Sequence, residues 1–377
     1  MEGGGSERQL LYLMRGLDRS QFELSLYLLY QSGALINDVP TDVPITSFWT
    51  NRKLARINWP GRFHGQQVKD LMAKIRDFEA DIVYDRLFHM TMISGPASRS
   101  TKVKRVSTIV SPPSRDVMRS ELKLVWLKRL LLSRAYAHSD RLLAVSSVTA
   151  DDAAKFYRIP REKFQVVPSA VDIERIDSMA AEKSAGPTLV KDRFHVITIG
   201  RLSEEKGHIH LLAAVAKLRK STNWKLHLHV VGDGPLRTSL ESQAENLGIA
   251  DRTSFYGHIQ NPYVVLAQCD LLCLPSLYEG MPNVLIEAMA CKVPVLAAET
   301  AGAASELLAS GQRGTLVATP DADLIAQAIR DRFEHPEKWQ SRVDTARAHV
   351  EQTHSLPRWL ADMQRIFYDV ASSQRVR

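Results

Sequence analysis

The sequence predicts an α/β protein of two Rossmann-like, doubly wound domains facing across a cleft. Three observations predict it. From Phe22 onward, short apolar runs (FELSLYLLY, DIVYDRLF, VSTIV, RLLAVS, FQVVPSAV) alternate with longer segments of helical spacing such as GQQVKDLMAKIRDFEA, the rhythm of parallel β-α-β units. A polar stretch with Gly and Pro, AAEKSAGPTLVKD, interrupts that rhythm around residues 180 to 192, and the alternation then restarts. The chain, 377 residues with 45% hydrophobic and 24% charged, is long enough for two ordinary cores. The expected domains are residues 1–180 and 188–355, with a helical stretch over 356–377 (LPRWLADMQRIFYDVASS) packing back on the first.

In the second half the expected order is strand FHVITIG, helix HLLAAVAKLRK, strand KLHLHVVG, helix LRTSLESQAENLG, strand TSFYG and helix NPYVVLAQC. Strand DLLCLPS, helix NVLIEAMAC, strand VPVLAA and helix ASELLAS follow. No short-period repeat or low-complexity tract breaks either half.

Composition excludes several classes. No apolar run approaches the roughly 18 to 20 residues that span a bilayer, and no basic-then-apolar segment opens the chain. The three cysteines, Cys269, Cys273 and Cys291, form neither a secreted framework nor a metal spacing, and read as buried thiols of a reducing, cytoplasmic protein. The net charge of +7 resides in residues 100–141, where ten basic residues (Lys102, Lys104, Arg105, Arg115, Arg119, Lys123, Lys128, Arg129, Arg134, Arg141) face three acids. Within it LKLVWLKRLLLSRAY interleaves apolar and cationic positions as a basic amphipathic helix does. Two readings stay open: a core-facing helix with a solvated basic back, or a face for anionic lipid or a lipid-linked diphosphate at the inner side of a membrane. No aromatic-basic motif supports nucleic acid.

In parallel sheets the chemistry sits on loops that leave the carboxyl ends of strands. GRLSEEKGH puts Gly200, Arg201 and Lys206 on such a loop, where a guanidinium and a mobile ammonium suit a diphosphate; solvated loop cations are the alternative. GDGPLR and FYGHI place Gly232, Gly257, His258 and Ile259 at two further strand ends. Tight-turn chemistry explains the glycines equally well. In YEGMPNVLIEAMA, Glu279 precedes a helix opening at Pro282, Asn283 and Val284, whose free amides and dipole attract an anion. Glu279 and Glu287, eight residues apart, then serve two ends of one ligand, or else Glu279 merely charges a helix start and Glu287 is a surface acid.

The segment resembles the E-x7-E region of retaining glycosyltransferases of family 4, GT-B fold, and GRLSEEKG, GDGPLR and FYGHI are similar to that family's nucleotide-site loops in order and spacing. The resemblance spans nearly the whole chain, is most specific from Ile199 to Ala290, and fades towards the N-terminus. It implies that Glu279 contacts the transferred sugar and Glu287 the ribose hydroxyls. By the same resemblance the backbone of Gly280, Met281, Pro282, Asn283 and Val284 holds the diphosphate, and Arg201 and Lys206 stabilise the leaving group. It implies an acceptor-binding first domain, a nucleotide-sugar-binding second domain and metal-independent transfer. DADL at Asp321 to Leu324 reads as helix capping rather than a metal motif.

The match departs in the first domain. The family's first strand is missing before EGGGSERQ, so we expect a chain that starts upstream of this one; Gly4 and Gly5 otherwise match a loop at the donor phosphate or acceptor, with a glycine tail as the alternative. The family's histidine after the fourth strand is absent, since Ser111 and Pro112 stand there, which makes Arg86 and His89 the acceptor-side candidates. PSAVD and ETAGAASE also depart from the family's turns. The expected activity is transfer of a hexose-type sugar from a nucleoside-diphosphate sugar to a glycan or lipid-linked acceptor, with no cofactor. A non-catalytic nucleotide-sugar-binding protein and a sugar-nucleotide epimerase are the rivals. A dinucleotide oxidoreductase is disfavoured because no G-x-G-x-x-G follows a first strand.

Overall fold

The computed structural model describes residues 4–49, 61–120, 125–182, 187–221, 224–300 and 302–373. It divides into two compact units, residues 1–170 with 356–377, and residues 171–355. The division falls after Ala170 rather than near 180. Val171 pairs with Ser355 and its N–H donates to His354 O at 2.9 Å, which ties the segment ahead of the expected joint to the second unit.

The first unit runs α1 (Gly5–Gly16), β1 (Leu26–Leu28), β2 (Ile45–Ser47), α2 (Arg62–Asp77), β3 (Ile82–Asp85), α3 (Phe88–Thr101), β4 (Lys104–Ile109), α4 (Pro113–Ser120), α5 (Val125–Ala137), β5 (Arg141–Ala144), α6 (Ser147–Tyr157) and β6 (Phe164–Val166). Among the described residues its strands form two parallel sheets, β1-β2 and β3-β4-β5-β6. β1 and β3 share no pairing there. Helix α1 is buried on two sides: Leu11 and Met14 pack with Leu26, Val39 and Val43, whereas Tyr12, Leu13 and Leu17 pack with Val106 and Leu143.

Part of the basic excess of residues 100–141 is turned inward. Arg105 is fully buried and bonds Asp85 at 3.1 Å, Ser107 at 2.9 Å and the Ala135 carbonyl. Lys104 donates to the carbonyls of Val370, Ala371 and Ser373, and Arg129 to Phe156 O. Lys128 is buried over the Phe88 ring. Lys102, Arg115 and Arg134 remain exposed; Lys123 and the side chain of Arg119 lie outside the described residues. Of the two open readings, these contacts favour a core-facing segment with a partly solvated basic back. α5 instead exposes an apolar ridge, with Trp126 67% exposed beside Leu130 and Leu131.

The second unit runs α7 (Ile173–Ala180), β7 (Phe194–Ile199), α8 (His208–Ser221), β8 (Leu226–Val231), α9 (Arg237–Asn246), β9 (Thr253–Gly257), α10 (Tyr263–Leu266), β10 (Leu271–Leu274), α11 (Asn283–Ala290), β11 (Val295–Ala298), α12 (Ala304–Leu307), β12 (Thr315–Val317), α13 (Ala322–Glu334) and α14 (Glu337–Thr353). Its six strands are all parallel in the order β9-β8-β7-β10-β11-β12. Burial on both faces accounts for runs such as LLCL and VLAA, which are apolar at every position. Asp321 caps α13, its carboxylate accepting from the Asp323 and Leu324 amides.

One polar element crosses this sheet. His195 Nε2 lies 2.8 Å from Val190 O, His195 Nδ1 lies 2.9 Å from His229 Nε2, and His229 Nδ1 lies 2.9 Å from Tyr256 Oη. A carbonyl only accepts, so the tautomers are fixed: Tyr256 donates to His229, His229 to His195, and His195 to Val190. Burial lowers the His229 pKa to about 3, which keeps that imidazole neutral.

The last helix, α15 (Leu356–Ser372), belongs to the first unit. Its buried residues Trp359, Met363, Ile366, Phe367 and Val370 recur at the helical period and meet Tyr12, Leu13 and Val106, as its spacing predicts.

Candidate active site

Ligands of an open parallel sheet sit where the strand order reverses. In the second unit that point lies between β7 and β10. The loop after β7 carries Gly200 to Lys206, and the loop after β10 carries Ser276 to Pro282, so the topology alone brings the two most informative motifs side by side. Their side chains meet. Lys206 Nζ lies 2.5 Å from Glu279 Oε1, and Ser276 Oγ donates to the same oxygen at 3.0 Å. The lysine is 22% exposed and the glutamate 13%, which shields the pair from solvent yet leaves it within a ligand's reach. Arg201 is exposed and has no ion-pair partner among the described residues.

Backbone packs on backbone around this pair. A Cβ on Gly232, whose φ is +131°, would lie 1.9 Å from Gly200 O, and one on Gly302, at φ +62°, would lie 1.9 Å from Glu279 O. Only glycine satisfies both the torsion and the approach. The Gly200 N–H donates to Val231 O at 2.9 Å and the Gly232 N–H to Gly257 O at 2.8 Å, which joins the ends of β7, β8 and β9. Gly302 is what survives of the altered ETAGAASE turn; Ala301 lies outside the described residues. Thr300 Oγ1 donates to Ser276 O at 3.1 Å, which holds the turn against the β10 loop.

Helix α11 opens at Asn283 with Pro282 in the capping position and no side-chain cap. Gly280 is buried, while Met281 and Val284 are partly buried against the core. Asn283 Oδ1 is buried without a partner among the described residues, an acceptor that a ligand N–H or hydroxyl would satisfy. Glu287, one turn into the helix, is only 7% exposed, so the surface-acid alternative for it is set aside. His258 is exposed just past β9, and Ile259 is half-buried on the core. His208, which opens α8, is buried with Nδ1 unpartnered; burial and then Lys206 lower its pKa to about 4, so it is neutral.

In the first unit Gly4 precedes α1 as its capping residue and Gly5 begins it. Arg86 follows β3 and is buried. His89, on the first turn of α3, is exposed and its ring lies 3.9 Å from that of Phe88. It does not line the pocket beyond β3 and β4, where Arg86, Phe88, Ser111, Asp116 and Tyr136 do. Sequence reasoning missed Ser276 and Asp116. Ser276 was read as the tail of a strand, and its place three residues before Glu279 was the available signal.

The family model described as "Glycosyl transferases group 1" matches residues 180–349, and the one described as "Glycosyltransferase Family 4" matches residues 3–175. The chain is similar to glycosyltransferases in both halves. It is 28% identical over 233 residues to the N-acetylgalactosamine-N,N'-diacetylbacillosaminyl-diphospho-undecaprenol 4-alpha-N-acetylgalactosaminyltransferase of Campylobacter jejuni. That match covers 62% of this chain and 61% of the relative. Over 255 residues it is 29% identical to the GDP-mannose-dependent alpha-(1-6)-phosphatidylinositol monomannoside mannosyltransferase of Mycolicibacterium smegmatis, covering 65% of each. Anabaena HepE, solved in complex with UDP and glucose, superposes with a TM-score of 0.80 at 21% identity over 98% of both chains. That likeness carries the fold, GT-B.

Proposed function

We propose that the chain is an active glycosyltransferase that moves a hexose-type sugar from a nucleoside-diphosphate donor to an acceptor hydroxyl, with retention of configuration and without a metal ion. The observation that carries this reading is the meeting of Lys206 and Glu279 at the switch point, beside an uncapped helix start. Lys206 and Arg201 neutralise the leaving diphosphate, assisted by the positive end of α11. Glu279 accepts hydrogen bonds from the sugar, and Glu287 from the ribose. No covalent nucleophile is assigned; the leaving phosphate oxygen takes the acceptor proton on the face it departs from.

The acceptor we propose is a glycan or lipid-linked intermediate of cell-surface polysaccharide synthesis, a class in keeping with what the Campylobacter and Mycolicibacterium relatives are named for. The protein works in the cytoplasm, in keeping with three cysteines that are free and whose thiols burial holds protonated. Contact with an anionic membrane runs through the Trp126, Leu130 and Leu131 ridge flanked by Arg134. No helix among the described residues is long and apolar enough to cross a membrane.

A thermal-shift screen of UDP-, GDP- and ADP-sugars tests the donor reading, with one nucleotide series expected to raise Tm and the K206M variant to lose that rise. No shift with any nucleotide sugar sinks the proposal. Co-sedimentation with anionic vesicles at low salt tests the ridge; wild-type binding equal to that of W126A rejects it.

A further inference from the structure

Two aromatic rings stand level at the end of the β1-β2 sheet. The strands are parallel with Leu28 opposite Ser47, and the ladder runs on past them: the Phe48 N–H donates to Leu28 O at 2.9 Å and the Trp49 N–H to Leu29 O at 3.1 Å. Tyr30 and Trp49 therefore emerge together at the carboxyl ends, the edge on which ligands of parallel sheets bind. Their rings stack, with centroids 5.9 Å apart and planes 15° from parallel. Phe48, only 1% exposed, meets Trp49 edge-on at 5.0 Å, and Phe63, on the first turn of α2, meets it at 5.7 Å. Trp49 is thus fixed by the core, and Tyr30 lies on it.

A cross-strand aromatic pair steadies two strand ends. That role accounts for the face Tyr30 turns to Trp49 and not for the rest of the ring, which leaves the residue 60% exposed. The surroundings narrow what would cover it. Neither Leu26 to Asn37 nor Val43 to Trp49 contains a charged residue, and the side chains exposed next to Tyr30 are those of Gln31 and Ser32. An anionic lipid surface or a phosphate calls for cations, such as the Arg134 that flanks the Trp126 ridge. A flat, rigidly backed ring beside a neutral amide and a hydroxyl instead suits a neutral sugar. The C–H face of a pyranose stacks on the negative face of the aromatic ring, and its hydroxyls take the polar groups. The similarity of both halves of the chain to glycosyltransferases makes a sugar a ligand in keeping with that chemistry.

We propose that Tyr30, seated on Trp49, is a stacking platform for a neutral pyranose ring of a glycan. That this glycan is the acceptor rests on the transferase reading; the stacking of a sugar does not. The platform makes the acceptor a molecule that already carries a sugar, rather than a bare lipid or a phosphate alone.

The test uses the full chain and three neutral oligosaccharides, maltohexaose, cellohexaose and chitohexaose, followed by saturation-transfer NMR and by titration of tryptophan fluorescence. At least one is expected to bind at millimolar concentration, with transfer strongest to the C–H protons of one ring face. Y30A should raise its Kd about tenfold, on the order expected for loss of one stacked ring. Y30W should restore the affinity, and Y30L, which keeps apolar bulk without the flat ring, should not. No binding by any of the three, or a Kd that Y30A or Y30L leaves unchanged, overturns the proposal. Saturating UDP, GDP or ADP should leave the affinity unchanged; displacement of the oligosaccharide would place it in the donor site and overturn the platform. Anionic vesicles bound by wild type and not by Y30A, or self-association that Y30A abolishes, would assign the ring to another occupant and overturn it too. Because Tyr30 is mostly exposed, Y30A is expected to keep the wild-type Tm. Should it unfold, the saturation-transfer map of wild type decides, and a map without a preferred sugar face overturns the stacking. A chain whose oligosaccharide binding follows Tyr30 in this way yet turns over no donor keeps the platform and loses the transferase reading.

Discussion

Replacing Gly232 with alanine tests the geometry of the β7 and β8 loops. Two costs add. Holding a non-glycine residue at φ +131° costs about 1–2 kcal/mol. The new Cβ would sit 1.9 Å from the Gly200 carbonyl oxygen, well inside the 3.0 Å that real contacts respect, so the carbonyl must move by about 1.1 Å. Overpacking of that kind costs about 1–3 kcal/mol more. A total of about 2–5 kcal/mol lowers Tm by roughly 5–15 °C in a unit of this size. Gly248 provides the control. Its φ is +69° and nothing lies within 4 Å of a Cβ there, so G248A carries the torsional cost alone. The displacement also moves the loop that carries Arg201 and Lys206, and an error of about 1 Å at a reacting centre costs on the order of a hundredfold in rate. Thermal unfolding and transfer kinetics on the two variants are the assay. Equal Tm values and equal rates for G232A and G248A would refute the packing argument.

Three further outcomes are expected. K206M lowers kcat/KM by about 10²–10³ through loss of leaving-group stabilisation, and K206M/E279Q is no worse than the more damaging single variant because the two groups act on one ligand; additive losses in the double variant contradict the shared site. Unfolding free energy falls as pH drops below 6.5, by up to about 1.4 kcal/mol per unit for His229, because its folded pKa is lowered to about 3 and the unfolded chain takes up the proton first; urea unfolding of wild type and H229Q with the same slope between pH 7 and 5 would discount the relay. R105M costs about 3–5 kcal/mol by stranding the buried Asp85 carboxylate, and R105M/D85L costs less than R105M alone; denaturant midpoints in the reverse order reject that role.

The second unit was legible in the sequence because β7, β8 and β10, which carry most of the site loops, are largely buried and run directly into glycine or proline. The first unit was less so. The two readings left open for residues 100–141 could not be decided from sequence because the partners of the inward cations are remote: Asp85 for Arg105, the end of α15 for Lys104, Phe156 for Arg129. A charge pattern states which residues are polar and not whether carbonyls wait for them. The domain division was misplaced for a similar reason, since Val171 is fixed by backbone bonds to His354 and Ser355, almost two hundred residues away. Nothing in the sequence alone groups His195, His227 and His229; the register, which sets His195 against His227 on neighbouring strands, shows that they cluster.

The central claim is that a nucleotide sugar binds at the reversal of strand order in the second unit. Hydrogen exchange followed by mass spectrometry, with and without the donor selected by the thermal screen, tests it most directly. Protection is expected in peptides spanning residues 200–207, 232–234 and 276–287, and weakened protection in the same peptides of K206M. Protection confined to the first unit, or none at saturating donor, would contradict it.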